Sequence, residues 1–275
     1  MQEIEISDIK ALAELVHKKY NVDFTNYAMS SFRRRVTRVI DLYRFESVKQ
    51  LIERVDGDKV FFETFLSEIT VNVTEMFRDP SFWRFIREHV IPNILINHKS
   101  INIWHAGCSS GEEVFSMAIL LEEMNLLDKV RIYATDLDKA ILDRAKKGIY
   151  SKKKMELNNK NYIRFQGERT LEEYYTLASH NEVKMNSSLL RNVTFKSHDL
   201  VKGDQFNKFD LVLCRNVMIY FNQTLQNQVI KSLHKSLFKY GYLAIGSKES
   251  LIWCDISNKF IVVNNEEKIF KKIRE

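Results

Sequence analysis

The chain has 275 residues, of which 45% are hydrophobic and 28% are charged. This composition predicts a globular protein that buries a substantial core in one large domain or two smaller ones. Its 42 basic and 36 acidic residues leave a net charge of +6, which points to an acidic partner without identifying it.

The sequence has no pattern typical of a membrane, disulfide-rich or metal-binding protein. The opening residues "MQEIEISDIK" lack the apolar core of a signal peptide, and the longest apolar runs are far too short to span a bilayer. We therefore expect a cytoplasmic protein without membrane insertion. The three cysteines are too widely spaced for a CxxC pair, and the seven histidines form no HExxH motif, so neither a disulfide framework nor a metal site is predicted.

The first third of the chain has the periodicity of helices. Ser7 is a candidate cap of the first helix, and "SFRRRVTRVIDLY" predicts the second. The apolar residues of this second helix form one stripe, Arg34 and Arg38 point away from it, and Arg33 and Arg35 flank it. A solvated surface is the ordinary interpretation of such a run, and a face for an acidic partner is the functional one.

Two further helices are predicted in "SVKQLIERV" and "KVFFETFLSEI". The pair Asp79 and Pro80 then predicts an N-cap followed by proline at the first helical position, which opens "SFWRFIREHVIPNIL". Pro92 should bend or restart this helix near its end, because proline supplies no backbone N–H.

From residue 101 the pattern changes to alternating strands and helices, in "INIWHA", "EEVFSMAILLEEM", "VRIYATD", "KAILDRAKKG", "VTFKSHDL", "FDLVLCRN", "QTLQNQVIKSLHKSLF" and "YLAIGS". The alternation predicts an α/β fold with a largely parallel sheet and helices on both faces. Ligands of such sheets bind beyond the carboxyl ends of the strands. The polar stretch 151–192 predicts a small antiparallel insertion, and the last segment predicts a hairpin around Asn264 and Asn265.

A glycine-containing corner, "GCSSG", follows the first strand of this region. Gly107 and Gly111 are spaced GxxxG, unlike the GxGxxG of dinucleotide sites, so an adenosyl ligand without phosphates fits better. Asp136 closes the second strand, where a carboxylate can accept hydrogen bonds from both ribose hydroxyls, and Glu112 opens the first helix. These features favour an S-adenosylmethionine methyltransferase modestly over a nucleotide-binding dehydrogenase. Each also has a structural explanation: a tight turn, a helix dipole or a helix cap.

Five longer segments resemble the successive motifs of one enzyme family. "VNVTEMFRDPSFW", "IWHAGCSSGEEVFSMAI", "YATDLDKAILDRAKKGIY", "VLCRNVMIYF" and "GYLAIGSKESL" occur in the order of the chemotaxis methyltransferase family, CheR. The resemblance implies a helical N-terminal domain, which we place at 1–92, and a Rossmann-like methyltransferase domain at 93–275 with a small β-subdomain within 151–192. It also implies methyl transfer from S-adenosyl-L-methionine to glutamate side chains of chemoreceptors, giving methyl esters and S-adenosyl-L-homocysteine.

Site residues are carried over from the family only where this sequence matches its motifs. The matches imply a cofactor site formed by Asn72, Thr74, Arg78, Gly107, Gly111, Glu112, Asp136, Asp199, Leu200, Arg215 and Asn216. Arg78 and Tyr220 are the candidates for orienting the acceptor carboxylate. An acidic helical receptor also gives the basic helix a role, so substrate binding is expected through Arg33, Arg34, Arg35 and Arg38.

Two departures from the family lie within these motifs. Val114 replaces a proline, and Ser247 stands where the family has histidine. Because the second change bears on the acceptor, two alternatives stay open: a regulatory or scaffold module that binds S-adenosylmethionine, and a methyltransferase with a non-receptor protein substrate. A nucleic-acid methyltransferase is disfavoured because the proline-containing motifs of those enzymes are missing. We expect a monomer that acts on the cytoplasmic helical region of a chemoreceptor or a similar acidic helical protein, with no nucleic acid as partner.

Overall fold

The computed structural model describes residues 4–70, 74–203 and 206–275. Its N-terminal part is helical and consists of α1 (Ile6–Tyr20), α2 (Met29–Tyr43), α3 (Val48–Gly57) and α4 (Lys59–Ile69). The expectation that Ser7 caps α1 is wrong, because the extended residue Glu5 occupies the N-cap position and Ser7 lies inside the first turn.

The apolar stripe of α2 packs against the other N-terminal helices, as predicted. Phe32, Val36 and Val39 are buried in one cluster with residues of α1, α3 and α4. Arg34 and Arg38 are exposed on the opposite face. The periodicity of the sequence therefore gives the correct orientation of this helix.

The helix that opens at Pro80 has three parts, namely α5 (Pro80–Phe85), a π-helical turn (Ile86–Val90) and α6 (Ile91–Leu95). The π turn ends two residues before Pro92, which removes an N–H and crowds the carbonyl of Glu88 within that turn. Asp79 stands at the N-cap position and Pro80 opens the helix, as predicted, although the Asp79 side chain accepts no capping hydrogen bond. Its carboxylate pairs with an arginine of the cavity described below.

These helices pack on the core of the following sheet. Phe82, Trp83, Ile86 and Val90 belong to the same buried cluster as residues of the central strands. We therefore propose a domain boundary near residue 70 in place of the expected boundary at 92. No helix in the described part of the chain has both the length and the apolar character needed to cross a membrane.

The main sheet contains β1 (Ile101–Ala106), β2 (Val130–Asp136), β6 (Val193–Ser197), β7 (Phe209–Cys214), β8 (Leu237–Ile245), β9 (Phe260–Asn264) and β10 (Ile269–Lys272). Their order is β6-β2-β1-β7-β8-β10-β9. The first five strands in this order are parallel, and the hairpin of β9 and β10 adds antiparallel to β8. Helices connect the parallel strands, among them α7 (Glu112–Glu123), α8 (Lys139–Lys147) and α10 (Gln223–Ser236). The predicted Rossmann-like α/β sheet and its terminal hairpin are confirmed.

A small antiparallel sheet is inserted after α8, as predicted. It contains β3 (Ile149–Ser151), β4 (Tyr175–Leu177) and β5 (Glu182–Met185) in the order β3-β5-β4. Helix α9 (Lys152–Phe165) lies between β3 and β4 and has no counterpart in the predicted elements. Its buried face includes Asn158 and Asn161, whose polarity conceals the apolar period on which helix prediction depends.

Candidate active site

A cavity lies where the carboxyl ends of β1, β2 and β7 face the N-terminal helices. Most of the predicted site residues line it together: Thr74, Arg78, Gly107, Asp136, Asp199, Leu200, Arg215, Asn216 and Tyr220. Gly111 and Glu112 are not in its walls, and Asn72 lies outside the described residues. The location is the one expected for a ligand of an open parallel sheet.

The glycine corner is shaped by close contacts within the chain. Gly107 has a φ of +79°, and a Cβ atom there would lie 2.6 Å from Cγ2 of Val217, a residue of the cavity wall. Gly111 has a φ of +91°, and its Cβ would lie 2.9 Å from Cβ of Ala145 on α8. Both positions require glycine. Gly107 thus shapes the cavity, whereas Gly111 allows the start of α7 to pack closely against α8.

Glu113, and not Glu112, faces the cavity. Glu112 is fully buried, and its carboxylate accepts hydrogen bonds from Ser110 Oγ at 2.6 Å and Lys154 Nζ at 3.0 Å. Glu113 is rotated about 100° further around α7 and lines the cavity. We therefore propose Glu113, in place of Glu112, as a cofactor contact.

Asp136 ends β2 with its carboxylate in the cavity wall. Its Oδ2 accepts a hydrogen bond from the Ser109 N–H at 2.8 Å, and its Oδ1 accepts one from the Asp138 N–H at 3.1 Å. Burial raises the pKa of this carboxyl to about 6 in spite of those bonds. Because each carboxylate oxygen has two lone pairs, both can also accept hydrogen bonds from ligand hydroxyls.

Asp199 brings an unsatisfied oxygen into the same cavity. Its Oδ1 accepts a hydrogen bond from the Val201 N–H at 2.9 Å, whereas its buried Oδ2 lies 3.9 Å from Lys202 Nζ and accepts no hydrogen bond from the described residues. A buried carboxylate oxygen without a hydrogen bond is costly, so a ligand that donates an N–H there is favoured. Leu200 and Val201 add apolar surface beside it, which suits a flat aromatic ring.

A buried arginine joins two walls of the cavity. Arg215 follows β7 and donates hydrogen bonds to Asp79 Oδ2 at 2.6 Å and Glu113 Oε2 at 3.3 Å. Its guanidinium also lies 3.9 Å from the centroid of the Phe82 ring. Burial alone would raise the pKa of Glu113, but the His105 ring, 2.8 Å away, and Arg215 together hold that pKa below its ordinary value. The charge of Arg215 is therefore compensated within the protein.

Two other arginines of the cavity have no carboxylate partner among the described residues. The Arg78 guanidinium forms neither an ion pair nor a hydrogen bond with the described part of the chain. Arg35 donates to the backbone carbonyl of Ile69, and its guanidinium lies 4.2 Å from the centroid of the Tyr220 ring. The cavity thus combines carboxylates that suit hydroxyl donors with cations that suit an incoming carboxylate.

The remaining arginines of the basic run are not in the cavity walls. Arg34 and Arg38 are exposed on α2, Arg33 is half-buried, and Arg38 has Glu68 at 3.7 Å. Of the four predicted substrate contacts, Arg35 is the one that the fold brings to the cavity.

The segment that carries Arg78 is held from α9 and α7. The Met76 N–H donates to Asn158 Oδ1 at 3.0 Å, and the Met76 carbonyl accepts from Asn161 Nδ2 at 3.1 Å. The N–H of the next residue, Phe77, donates to Ser116 Oγ at 2.8 Å. Phe77 has a φ of +51°, a left-handed conformation that is strained for a bulky side chain and needs such support.

Two sequence models of one family match almost the whole chain. The model of the all-alpha domain of CheR methyltransferase matches residues 7–70, and that of the SAM binding domain of CheR methyltransferase matches residues 72–269. The chain belongs to the CheR methyltransferase family.

Relatives within the CheR family are similar along nearly their full lengths. The chain is 43% identical to a protein of Pseudomonas putida named as the methyltransferase Cher3, over 96% of each chain. It is 30% identical to a chemotaxis protein methyltransferase of Listeria innocua, over 89% of this chain and 90% of the relative. It is 28% identical to chemotaxis protein methyltransferase 1 of Vibrio cholerae, over 88% of each.

S-adenosylmethionine is the cofactor of this CheR-family chain, and the cavity fits it. Asp136 can accept hydrogen bonds from ribose hydroxyls, and Asp199 Oδ2, which accepts no hydrogen bond from the described residues, can accept one from an adenine amino group. Gly107 leaves room for the side chain of Val217, which lines the cavity and which a Cβ at position 107 would displace. We propose that these residues hold the cofactor, with Thr74, Leu200 and Asn216 around it.

The serine that stands in place of the CheR histidine lies outside the cavity. This residue, Ser247, is exposed and is not in the cavity walls. Glu249 of the same motif is buried, and its carboxylate accepts hydrogen bonds from the N–H groups of Gly246, Asn216 at 3.2 Å and Met218 at 2.7 Å. Burial raises the pKa of Glu249. This residue therefore fixes the loop that carries Asn216 and Tyr220, a role that the sequence did not reveal.

Other residues of the cavity were also missed. Tyr27 comes from the loop between α1 and α2 and pairs with Phe221 in an isolated β-bridge, so the N-terminal helices contribute directly to the cavity. No periodic signal marks Tyr27. The sequence does carry a signal for Glu113, because the corner motif contains two adjacent glutamates and either could face the cavity.

Proposed function

We propose that the chain transfers the methyl group of S-adenosylmethionine to glutamate side chains of a chemoreceptor-like protein, forming methyl esters. The observation that carries the proposal is the Arg78 guanidinium, which lines the cavity and has no partner among the described residues. A guanidinium that faces a cavity without a partner is suited to bind the carboxylate of an incoming substrate. The names of the Listeria and Vibrio relatives, which are chemotaxis protein methyltransferases, support the same class of substrate.

Esterification of a glutamate requires alignment more than proton transfer. With a pKa of about 4.3, a glutamate is almost fully ionised at pH 7 and is a nucleophile without a general base. Bound S-adenosylmethionine supplies a methyl group on a positively charged sulfur, which a carboxylate oxygen can attack. The residues of the chain must remove water from the acceptor and hold it in line.

Arg78 and Tyr220 are the residues that we assign to the acceptor. The planar guanidinium of Arg78 can bind one carboxylate oxygen and leave the other free to react. Arg35 stacks on the Tyr220 ring and restricts its orientation. Because negative charge on the acceptor falls during transfer, Arg78 must orient the carboxylate without binding its ground state too strongly.

Recognition of the whole substrate extends beyond the cavity. We assign the exposed Arg34 and Arg38 of α2, with Arg33 beside them, to the acidic face of a helical acceptor protein. We further propose that the chain acts in the cytoplasm on the cytoplasmic helical region of the receptor, and as a monomer.

The proposal is tested by the chemistry of the product. Purified chain is incubated with methyl-labelled S-adenosylmethionine and receptor cytoplasmic fragments, and the labelled protein is treated with mild base. Glutamate methyl esters release volatile labelled methanol, whereas N-methyl groups keep their label. Binding of S-adenosylmethionine without any protein labelling would favour a regulatory or scaffold module.

A further inference from the structure

Two large apolar side chains project into solvent at the end of the sheet that carries the cavity. Ile252 is 75% exposed and Trp253 is 76% exposed, and Ile219 on the neighbouring segment is 37% exposed. Single exposed apolar residues are ordinary, but tryptophan is mostly buried in folded proteins. An adjacent isoleucine and tryptophan in water therefore mark a candidate interaction surface.

The exposed pair sits on an anchored loop. Leu251 and Cys254, on either side of it, are buried, and the Cys254 N–H donates to the Leu251 carbonyl at 2.9 Å. The Trp253 carbonyl accepts a hydrogen bond from Gln223 Nε2 on α10 at 3.2 Å. At the start of the loop, the buried Glu249 carboxylate binds backbone amides of the segment after β7. The apolar pair is therefore presented by a fixed backbone, which lowers the entropic cost of binding.

The loop lies close to the segment that carries Tyr220, the residue that we assign to the acceptor. It follows the carboxyl end of β8, the strand next to β7, and the cavity residue Tyr220 follows β7. On the other side of Tyr220, its carbonyl accepts a hydrogen bond from the Ala28 N–H at 2.8 Å, directly before the basic helix α2. The segment around Tyr220 thus contacts both the loop that carries the apolar pair and the residue that precedes the helix exposing Arg34 and Arg38.

We propose that Ile252 and Trp253 form a second anchoring surface for the methyl-accepting protein. The occupant is an amphipathic helix: its carboxylates approach Arg34 and Arg38, and its apolar side chains pack on the Trp253 ring. The arginines supply the charge complementarity that selects an acidic partner, and tryptophan is the side chain most enriched among residues that dominate binding energy. This inference rests on the proposed function, because it assigns a docking surface to the same substrate.

Tryptophan fluorescence offers a direct test. The chain has three tryptophans, of which Trp83 and Trp104 are 0% and 1% exposed, so quenching by neutral acrylamide reports on Trp253. Titration with a receptor cytoplasmic fragment should reduce quenching and shift the emission to the blue. Unchanged quenching with a fragment that the enzyme methylates would overturn the inference. Protection that depends on enzyme concentration without any fragment would assign the surface to a second copy of the chain, and would overturn it as well.

Substitution separates this surface from catalysis. The double variant Ile252→Ser, Trp253→Ser should raise KM for the fragment by about tenfold or more, while kcat and affinity for S-adenosylhomocysteine stay near the wild-type values. Ile96→Ser is the matched control, because Ile96 is 74% exposed but lies just before the opposite, amino-terminal end of β1. A wild-type KM in the double variant would contradict the inference while the proposed function stands. Absence of base-labile label with the wild-type enzyme would overturn both.

Discussion

The Arg215 guanidinium and the Asp79 carboxylate form a hydrogen bond of 2.6 Å that ties the end of β7 to the residue following Arg78. The Arg215 side chain is buried, whereas the Asp79 side chain is 36% exposed, so solvent and salt reach this pair from the Asp79 side. Asp79 has a φ of +56°, an uncommon conformation outside glycine, and the ion pair helps to maintain it. The carboxylate thus organises the cavity, although its position before Pro80 suggests a helix cap.

Asp79→Ala should lower turnover more than cofactor affinity. Loss of the carboxylate frees the segment that carries Arg78, so we expect kcat to fall about tenfold or more, while affinity for S-adenosylhomocysteine stays within about threefold. Methyl-transfer rates and calorimetry measure the two quantities. Asp56→Ala is the control, because it removes an exposed partner of Lys19. Equal losses in both quantities would mean that Asp79 organises the cofactor site instead.

Cofactor affinity should decrease in mild acid through Asp136. Burial raises its pKa to about 6, and only the ionised carboxylate accepts hydrogen bonds from both ribose hydroxyls at once. Affinity should therefore be high above that pKa and fall as the pH decreases through it. Calorimetry with S-adenosylhomocysteine between about pH 8 and about pH 5 tests this, with Asp136→Asn as the comparison. A wild-type profile as flat as that of Asp136→Asn would remove Asp136 from the ribose role.

Asn161→Ala should impair catalysis from a distance. Its amide holds the Met76 carbonyl at 3.1 Å, two residues before Arg78, and the vacated carbonyl would be buried without a partner. We expect kcat to fall by about fivefold or more and affinity for S-adenosylhomocysteine to change little. Asn159→Ala on the same helix is the control, because Asn159 makes no hydrogen bond to Met76. If both variants retain wild-type kcat, the contact of α9 with this segment has no role in positioning Arg78.

Charge reversal of Arg34 and Arg38 should slow methylation through weaker association. Both side chains are exposed and opposite the buried face of α2, so the double variant should stay folded. The defect in kcat/KM should shrink as salt is added, because salt screens the attraction in the wild-type enzyme. Reversal of the exposed Lys10 and Lys18 on α1 changes the net charge equally and serves as the control. A wild-type rate at low salt would identify these arginines as ordinary solvated surface.

The sequence predicts most of the fold because, in most helices and strands, the residues that are apolar by periodicity are also the residues that are buried. The predicted bounds are correct for two central strands, Ile101–Ala106 and Val130–Asp136. The apolar pattern of each strand is local, so it can be recognised without knowing which distant residues the strand contacts. Helix α9 escapes prediction because two of its buried residues, Asn158 and Asn161, serve a distant backbone segment. Its polar face is explained only by a contact that is remote in the sequence.

The candidate site is less predictable than the fold because it depends on side-chain direction. Glu112 and Glu113 are equivalent as a motif, and the orientation of α7 against the sheet turns Glu113 towards the cavity and Glu112 towards Lys154 on α9. Arg35 looks like a flanking residue of a basic helix until the fold brings Tyr220 beneath it. The resemblance to the CheR family supplied the positions, and the three-dimensional contacts supply the roles that we propose.

The most direct test of the account is the initial rate of base-labile methylation of a receptor fragment by Arg78→Ala, measured beside the wild-type enzyme at saturating S-adenosylmethionine. If Arg78 orients the glutamate acceptor, the wild-type enzyme should yield labelled methanol and the variant should be slower by about a hundredfold or more, with affinity for S-adenosylhomocysteine within about threefold of wild type. A variant that esterifies the fragment at the wild-type rate, or a wild-type enzyme whose label resists mild base, would contradict the account.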